Sequence, residues 1–257
     1  MVKIPSLLEM LKAGVHFGHA TSKWHPKMKP FLFGSRNGVH IIDLDRTQGE
    51  LTKTLEFVKN LASTGKVILF VGTKHQARVI IKQAAIDCGM PYLTERWIGG
   101  MLTNFSEVRT RLKKYRGLKE MFKTGEIEKY SKKEQVMFKK KLDTLDKYLI
   151  GLENLECMPD ALYIADMRIE KTALKEAIKM GVLTIAVADS NVNPEKADYI
   201  IPANDDAVNS IKMMANLMVE AINAGKVEWE KKQNEIVKIK PIETGKKERK
   251  ALKISQE

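Results

Sequence analysis

Several small groups of residues in this 257-residue chain have the types and spacing that chemistry uses. Asp43-Leu44-Asp45-Arg46-Thr47 follows the strand-like run Val39-His40-Ile41-Ile42, placing two carboxylates two residues apart at a strand end. There a first Asp can attack phosphorus, a second can move the proton, and Mg²⁺ can offset the phosphate charge. Asn204-Asp205-Asp206 would supply further metal-binding carboxylates. The plainer role of Asp43 is to cap the next helix. Gly72-Thr73-Lys74 joins a buried strand to a helix, where α/β proteins cradle phosphates. It fits neither GxGxxG nor GxxxxGK(S/T), so a tight turn with a cationic cap is expected. His16, His19 and His25 share one loop, and His16-x-x-His19 is a metal-like spacing. Without a nearby Cys or carboxylate in sequence, packing or RNA contacts are preferred to a zinc site, and no metal or cofactor is expected. Asp166 and Asp189 each follow a strand, where either can cap a turn.

Asp43 to Thr47 also fits the DxDx(T/V) pattern of haloacid-dehalogenase-type phosphatases, with Asp43 as nucleophile and Asp45 as acid/base. Five positions with two fixed residues recur by chance, so capping is preferred and no enzyme is expected. A Mg²⁺-dependent phosphatase is the alternative.

The charge pattern is more informative. The chain has a net charge of +12 and a pI near 9.5, which points to a polyanionic partner. Residues 105–150 hold 14 Lys/Arg against seven Asp/Glu, a net +7, whereas residues 151–225 carry −6. On charge alone, 151–225 is expected to face protein rather than RNA. Cys88 and Cys157 are distant and lack CxxC spacing, as in a reducing compartment. MVKIPSLLEMLKAG lacks a cleavage signal, and no run approaches the roughly 20 apolar residues of a membrane span. A soluble, cytoplasmic protein without membrane contact is expected.

The elements that must position these groups alternate. Ser6 to Ala13 reads as a short amphipathic helix and Gly14 to Gly38 as a loop. Val39–Ile42, Val67–Val71, Pro91–Leu93, Ala161–Ala165, Thr184–Ala188 and Tyr199–Ile201 read as strands. Helices are expected over 47–63, 75–87, 171–180 and 205–223, the last closed by Gly225. This pattern predicts a three-layer α/β/α fold with a mostly parallel open sheet. Two stripes at 3/4 spacing interrupt it: Phe105, Val108, Leu112, Tyr115 and Phe122, then Phe138, Leu142, Leu145, Leu149 and Leu152. Joined at Lys123-Thr124-Gly125, they predict an antiparallel coiled-coil hairpin inserted at 105–150 between two parts of one domain, 1–104 and 151–225. Residues 226–257 read as a basic, loosely ordered tail.

Four stretches carry a family resemblance: AGVHFGHATSKWHPKMKPFLFGSRNGVHIIDLDRT (13–47), VILFVGTKHQA (67–77), YLTERWIGGMLTNF (92–105) and MPDALYIADMR to NDDAVNSI (158–211). In this order, with a basic hairpin after the third, the chain resembles the ribosomal protein S2 family of the small subunit, in its bacterial or organellar form. The resemblance implies flavodoxin-like topology, a structural place between head and body bound to small-subunit rRNA, and support for docking of a neighbouring large mRNA-binding ribosomal protein. For a protein of the organellar form it implies the matrix or stroma. A homo-oligomer is not expected. Met167 and Val192 depart from residues common in the family, which weakens any ligand role for Asp166 or Asp189.

Lys and Arg pair with phosphates, and structured RNA is read by shape, backbone and stacking on splayed bases. The expected contacts are Arg109, Arg111, Lys113, Lys114 and Arg116 on the first hairpin helix, and Lys132, Lys133, Lys139 and Lys140 on the second. Lys23, Trp24, His25, Lys27, Lys29 and Arg36 in the N-terminal loop come next, with Arg96 and Asn104 at the hairpin base. Trp97 reads equally as a core anchor.

Overall fold

The computed structural model describes residues 3–254, with side chains described as far as Asn234. Five strands form one parallel sheet: β4 (Ile68–Val71), β5 (Tyr92–Leu93), β6 (Ala161–Ile164), β7 (Leu183–Ala188) and β8 (Tyr199–Pro202), in the order β5-β4-β6-β7-β8. Counted along the chain this is 2-1-3-4-5, the flavodoxin-like order. Alternate residues of each strand serve opposite faces. Ile68, Phe70, Tyr163, Ile185 and Val187 pack beneath α2 (Leu44–Ala62), α3 (Arg78–Asp87) and α7 (Val208–Ile254). Leu69, Val71, Leu162, Ile164 and Ala186 pack against α6 (Lys171–Met180) and the hairpin base. The continuous apolar runs are therefore buried on both sides, as the three-layer expectation requires.

The region expected as a loop over 14–38 holds two further strands. β1 (Phe17–Ala20) and β2 (Leu32–Arg36) flank β3 (Val39–Ile42) in a separate antiparallel sheet of order β1-β3-β2. Asn37-Gly38 makes this possible: both have positive φ, 53° and 75°, as a tight two-residue hairpin turn demands. Val39–Ile42 is thus a strand, but outside the parallel sheet.

α1 (Leu7–Ala13) starts at a Ser6/Glu9 capping box, and Asp43 caps α2 by accepting from Asp45 N at 3.0 Å. The last helix corrects the expected stop at Gly225. It starts at Val208 rather than 205 and continues to Ile254. Gly225 is a packing glycine: a Cβ there would lie 2.4 Å from Lys59 O and 2.6 Å from Ala62 Cβ, so only hydrogen lets α7 cross α2 this closely. Beyond it, Lys226 Nζ donates to Cys88 O at 2.6 Å, Glu228 pairs with Lys59 at 2.6 Å, and Trp229 lies against Gly65. The tail expected over 226–257 is helical in backbone to residue 254; its side chains from 235 onward, and residues 255–257, lie outside the described residues.

Candidate nucleic-acid interface

The hairpin consists of α4 (Phe105–Lys123) and α5 (Lys132–Leu149). Val108, Leu112, Tyr115 and Leu118 are buried on α4, and Leu142 and Leu149 on α5. Leu118 was not in the expected stripe, whereas Phe105, Phe122, Phe138 and Leu145 are only partly buried. The tip turns through Gly125, a short 3-10 segment Glu126–Lys129 and a Ser131/Glu134 capping box. Tyr115 is fully buried yet keeps a partner: its hydroxyl donates to Asp146 Oδ1 at 2.5 Å. Burial, with Asp146 beside it, drives its pKa upward.

The apolar seam turns the cations outward. Arg109, Arg111, Lys113, Lys114, Lys132, Lys133, Lys139 and Lys140 are all exposed. Lys139 forms an i,i+4 pair with Asp143 at 3.0 Å; among the described residues the other seven make no ion pair. Arg116 is the exception to the expectation. It is half-buried, and its guanidinium donates to Glu153 O at 2.6 Å and Leu155 O at 3.1 Å. It latches the hairpin to the turn and loop that lead toward β6. Lys119, pairing with Glu153, reinforces that latch.

The base depends on a residue the sequence reading passed over. Glu176 of α6 accepts from Trp97 Nε1 at 3.0 Å, Gly100 N at 2.9 Å, Leu102 N at 3.1 Å, Thr103 N at 3.2 Å and Thr103 Oγ1 at 3.2 Å. Burial alone would raise its pKa, but these donors more than offset it and hold the carboxyl below its usual range. One carboxylate thus gathers the whole segment 97–103 that leads into α4. The available signal was an acid on the apolar face of a helix, beside Ala173 and Ala177. Trp97 is therefore an anchor. Arg96 is exposed, with its guanidinium 5.2 Å from the Tyr148 ring centroid, and Asn104 is exposed at the first turn of α4.

In the N-terminal loop, Lys23, Trp24, Lys29 and Arg36 are exposed. Lys27 is committed to Glu195, so it is less available than expected. His25 is half-buried; its N–H donates to Ser190 O at 2.8 Å and its ring accepts from Lys27 N at 3.2 Å. Met28 and Phe31 of this loop share a hydrophobic cluster with Trp97, Ile98 and Phe105, so loop and hairpin base pack together.

The candidate chemistry resolves into structure. Asp43 caps α2 and Thr47 Oγ1 donates to Pro202 O at 2.6 Å, so this motif joins α2 to β8. At the sheet's switch point, Thr73 N donates to Glu170 Oε1 at 2.7 Å, and Lys74 Nζ meets Asp205 at 2.7 Å, Asp206 at 2.8 Å and Asp166 at 3.0 Å. Burial would pull the Lys74 ammonium down, but hydrogen bonds to Asp205 and Asp206 hold it charged. The crevice that holds phosphates in related folds is filled by the chain's own carboxylates. His19 is 3.1 Å from Asp189 and 3.4 Å from Asp206, whereas the His16 ring packs at a tilt against Phe17, centroids 4.0 Å apart, so the two histidines face different surroundings. His19, Asp205 and Asp206 bring ligand atoms within 4.8 Å of one another and could hold a metal; in this arrangement Lys74 supplies the positive charge between the two carboxylates. Among the described residues, no helix is long and apolar enough to cross a membrane.

A family model described as Ribosomal protein S2 matches residues 10–225. The small ribosomal subunit protein uS2 of Coprothermobacter proteolyticus is 45% identical over 223 residues, covering 87% of this chain and 83% of that one. Its counterpart from Bdellovibrio bacteriovorus is 43% identical over 227 residues, covering 88% and 72%. This family is structural and non-enzymatic, in keeping with motifs spent on capping and packing. On the match over 10–225 and these identities, the chain belongs to the ribosomal protein S2 family.

Proposed function

We infer that the protein is a structural constituent of the small ribosomal subunit in the cytoplasm, bound to small-subunit rRNA through its hairpin and N-terminal loop. The relatives are named as small-subunit proteins, and the observation that carries the RNA reading is the row of exposed cations on α4 and α5, all but Lys139 without an ion pair among the described residues. The hairpin works as a coiled-coil arm: a narrow apolar seam holds two helices together and leaves the other faces free for phosphates. The bound arm and the Glu176-held base together present a fixed surface on which a neighbouring ribosomal protein docks, including the large mRNA-binding one.

Filter binding of the full chain to small-subunit rRNA tests this. Arg109, Arg111, Lys113 and Lys114 changed together to Glu should lower the slope of log K against log salt by about three to four, near 0.9 per lost phosphate contact. An unchanged slope would reject the hairpin as the RNA arm.

A further inference from the structure

Residues 151–225 carry a formal −6, yet the surface they present is different. Asp166, Glu170, Glu176, Asp189 and Asp205 are all buried, whereas all six Lys/Arg of the segment are exposed. Five of the segment's 12 carboxylates are thus spent inside the fold, on Lys74, on backbone N–H groups and on the 97–103 loop. At the surface the segment is close to neutral, six Lys/Arg against seven carboxylates that are not buried, so its formal charge does not by itself mark a protein-facing side.

The exposed cations converge on one place. A cleft of about 410 Å³ lies between α6 and the loop joining β7 to β8, with Arg168, Lys171, Lys175 and Lys196 on its walls. None of the four makes an ion pair among the described residues. Lys171, Lys175 and Ile178 follow i, i+4, i+7 spacing, one face of α6, so the cationic rim and an exposed apolar side chain stand together. Met167, Leu174 and Val192 line the interior. Asn191 also lines the cleft, and both its amide atoms are buried with no hydrogen-bond partner. Among the described residues no protein group pairs with this amide, which leaves its donor and acceptor open to a polar partner. Finally, His25 reaches the same cleft from the N-terminal loop, which makes it continuous with a region already read as RNA-facing.

We propose that this cleft takes an unpaired ribonucleotide, with its phosphates on the Arg/Lys rim, its base against the apolar wall, and its polar edge on the Asn191 amide. The volume falls within the roughly 300–1,000 Å³ usual for small-ligand sites. Cationic rim, apolar wall and one amide are the three elements by which proteins hold a splayed base and its backbone. An acidic peptide would use the rim but would leave the wall and the amide idle. The base reaches the amide as the lining side chains part, and the long, exposed Arg168 and Lys196 can swing onto phosphate. The proposal rests on the RNA-binding reading, but it concerns a different face from the hairpin.

The test uses the full chain carrying the four hairpin Glu substitutions, so that binding reports the cleft, with fluorescent octa-adenylate as probe. Adding Lys171→Glu with Lys175→Glu should weaken binding at least tenfold and lower the salt slope by about 1.4, near 0.7 per phosphate on a single strand. Asn191→Ala should weaken it about tenfold while leaving both the salt slope and Tm unchanged. Excess deca-glutamate should not displace the probe. Unaltered affinity in both cleft variants would overturn the proposal, as would efficient displacement by deca-glutamate, which marks an acidic-peptide site. A fall in Tm for Asn191→Ala would also overturn the amide's role, since it would show a partner within the fold. Failure of the hairpin variant to lose rRNA affinity would instead strike the broader reading, leaving the cleft to its own two variants.

Discussion

Glu176 shows how one side chain can carry an architecture. Its two oxygens take five donors from a segment with little other regular structure, and replacing it would leave Leu102 N–H buried and unpaired and the part-buried donors around it without their acceptor. Because stranding buried donors costs more than losing a contact, Glu176→Ala should destabilise the protein by about 3 kcal/mol, read in denaturant midpoints with Trp97 fluorescence. Glu176→Gln should cost nearly as much, since its NH₂ would face donors rather than accept from them. A loss under about 0.5 kcal/mol in both would show that the segment holds itself. The His19 cluster makes a separate prediction. Burial, with Asp166 and Asp189 nearby, pushes Asp205 up to about 7, so Asp205 withdraws stability as pH rises from the usual carboxylate range toward 7. Hydrogen bonding to Asp189 raises the His19 pKa above the ordinary 6.5, so its contribution is complete below 6.5 and is lost as pH climbs through the raised value. Both signs agree. Amide exchange at His19, whose N–H donates to Ser190 Oγ at 2.8 Å, should be more protected at pH 5.5 than at pH 8 after correction for intrinsic rates. Equal or reversed protection would contradict the assignment.

At the scale of elements, legibility followed local signal strength. The buried strands announced themselves as apolar runs, and α6 ran over the expected residues because a clear 3/4 pattern ends at Gly181. β1 and β2 escaped because they are short, with largely exposed or half-buried residues, so neither alternation nor an apolar run marks them. The one cue was Asn37-Gly38. Gly225 misled for a related reason: a glycine near a helix end reads as a stop, but whether it caps or packs depends on partners far away in sequence, Lys59 and Ala62. Gly225→Ala should therefore cost about 1–3 kcal/mol from overpacking of α2 against α7, where a capping glycine would have gained helix propensity. A stabilised variant in thermal unfolding would contradict that packing. The hairpin's cations divide in the same way. Arg116→Ala should lower stability by about 1–2 kcal/mol, through Glu153 O and Leu155 O, with little change in RNA salt slope. Arg111→Ala, on the exposed stripe, should do the reverse; matching effects would erase the distinction between latch and arm.

For the whole molecule, sequence order and net charge went far, but charge by segment did not map onto surface. The fold class could be read because alternating strands and helices constrain topology to few arrangements. The proposed RNA surface was legible on the hairpin, where narrow apolar stripes leave most side chains wet. The proposed cleft was not legible on residues 151–225, where five carboxylates turn inward to bind lysine and backbone groups while every cation stays outside. Burial, which no charge count contains, brings the surface of that half close to neutral, six cations against seven carboxylates that are not buried. Central to the proposed function is that cations on the hairpin hold this chain in the small subunit. The direct measurement is sedimentation of tagged chain with small ribosomal subunits in cell extract, wild type against the fourfold Glu hairpin variant. Stoichiometric wild-type recovery in the small-subunit peak, with the folded variant left at the top of the gradient, is the predicted result. A wild-type chain absent from that peak, or a variant recovered as fully as wild type, would contradict it.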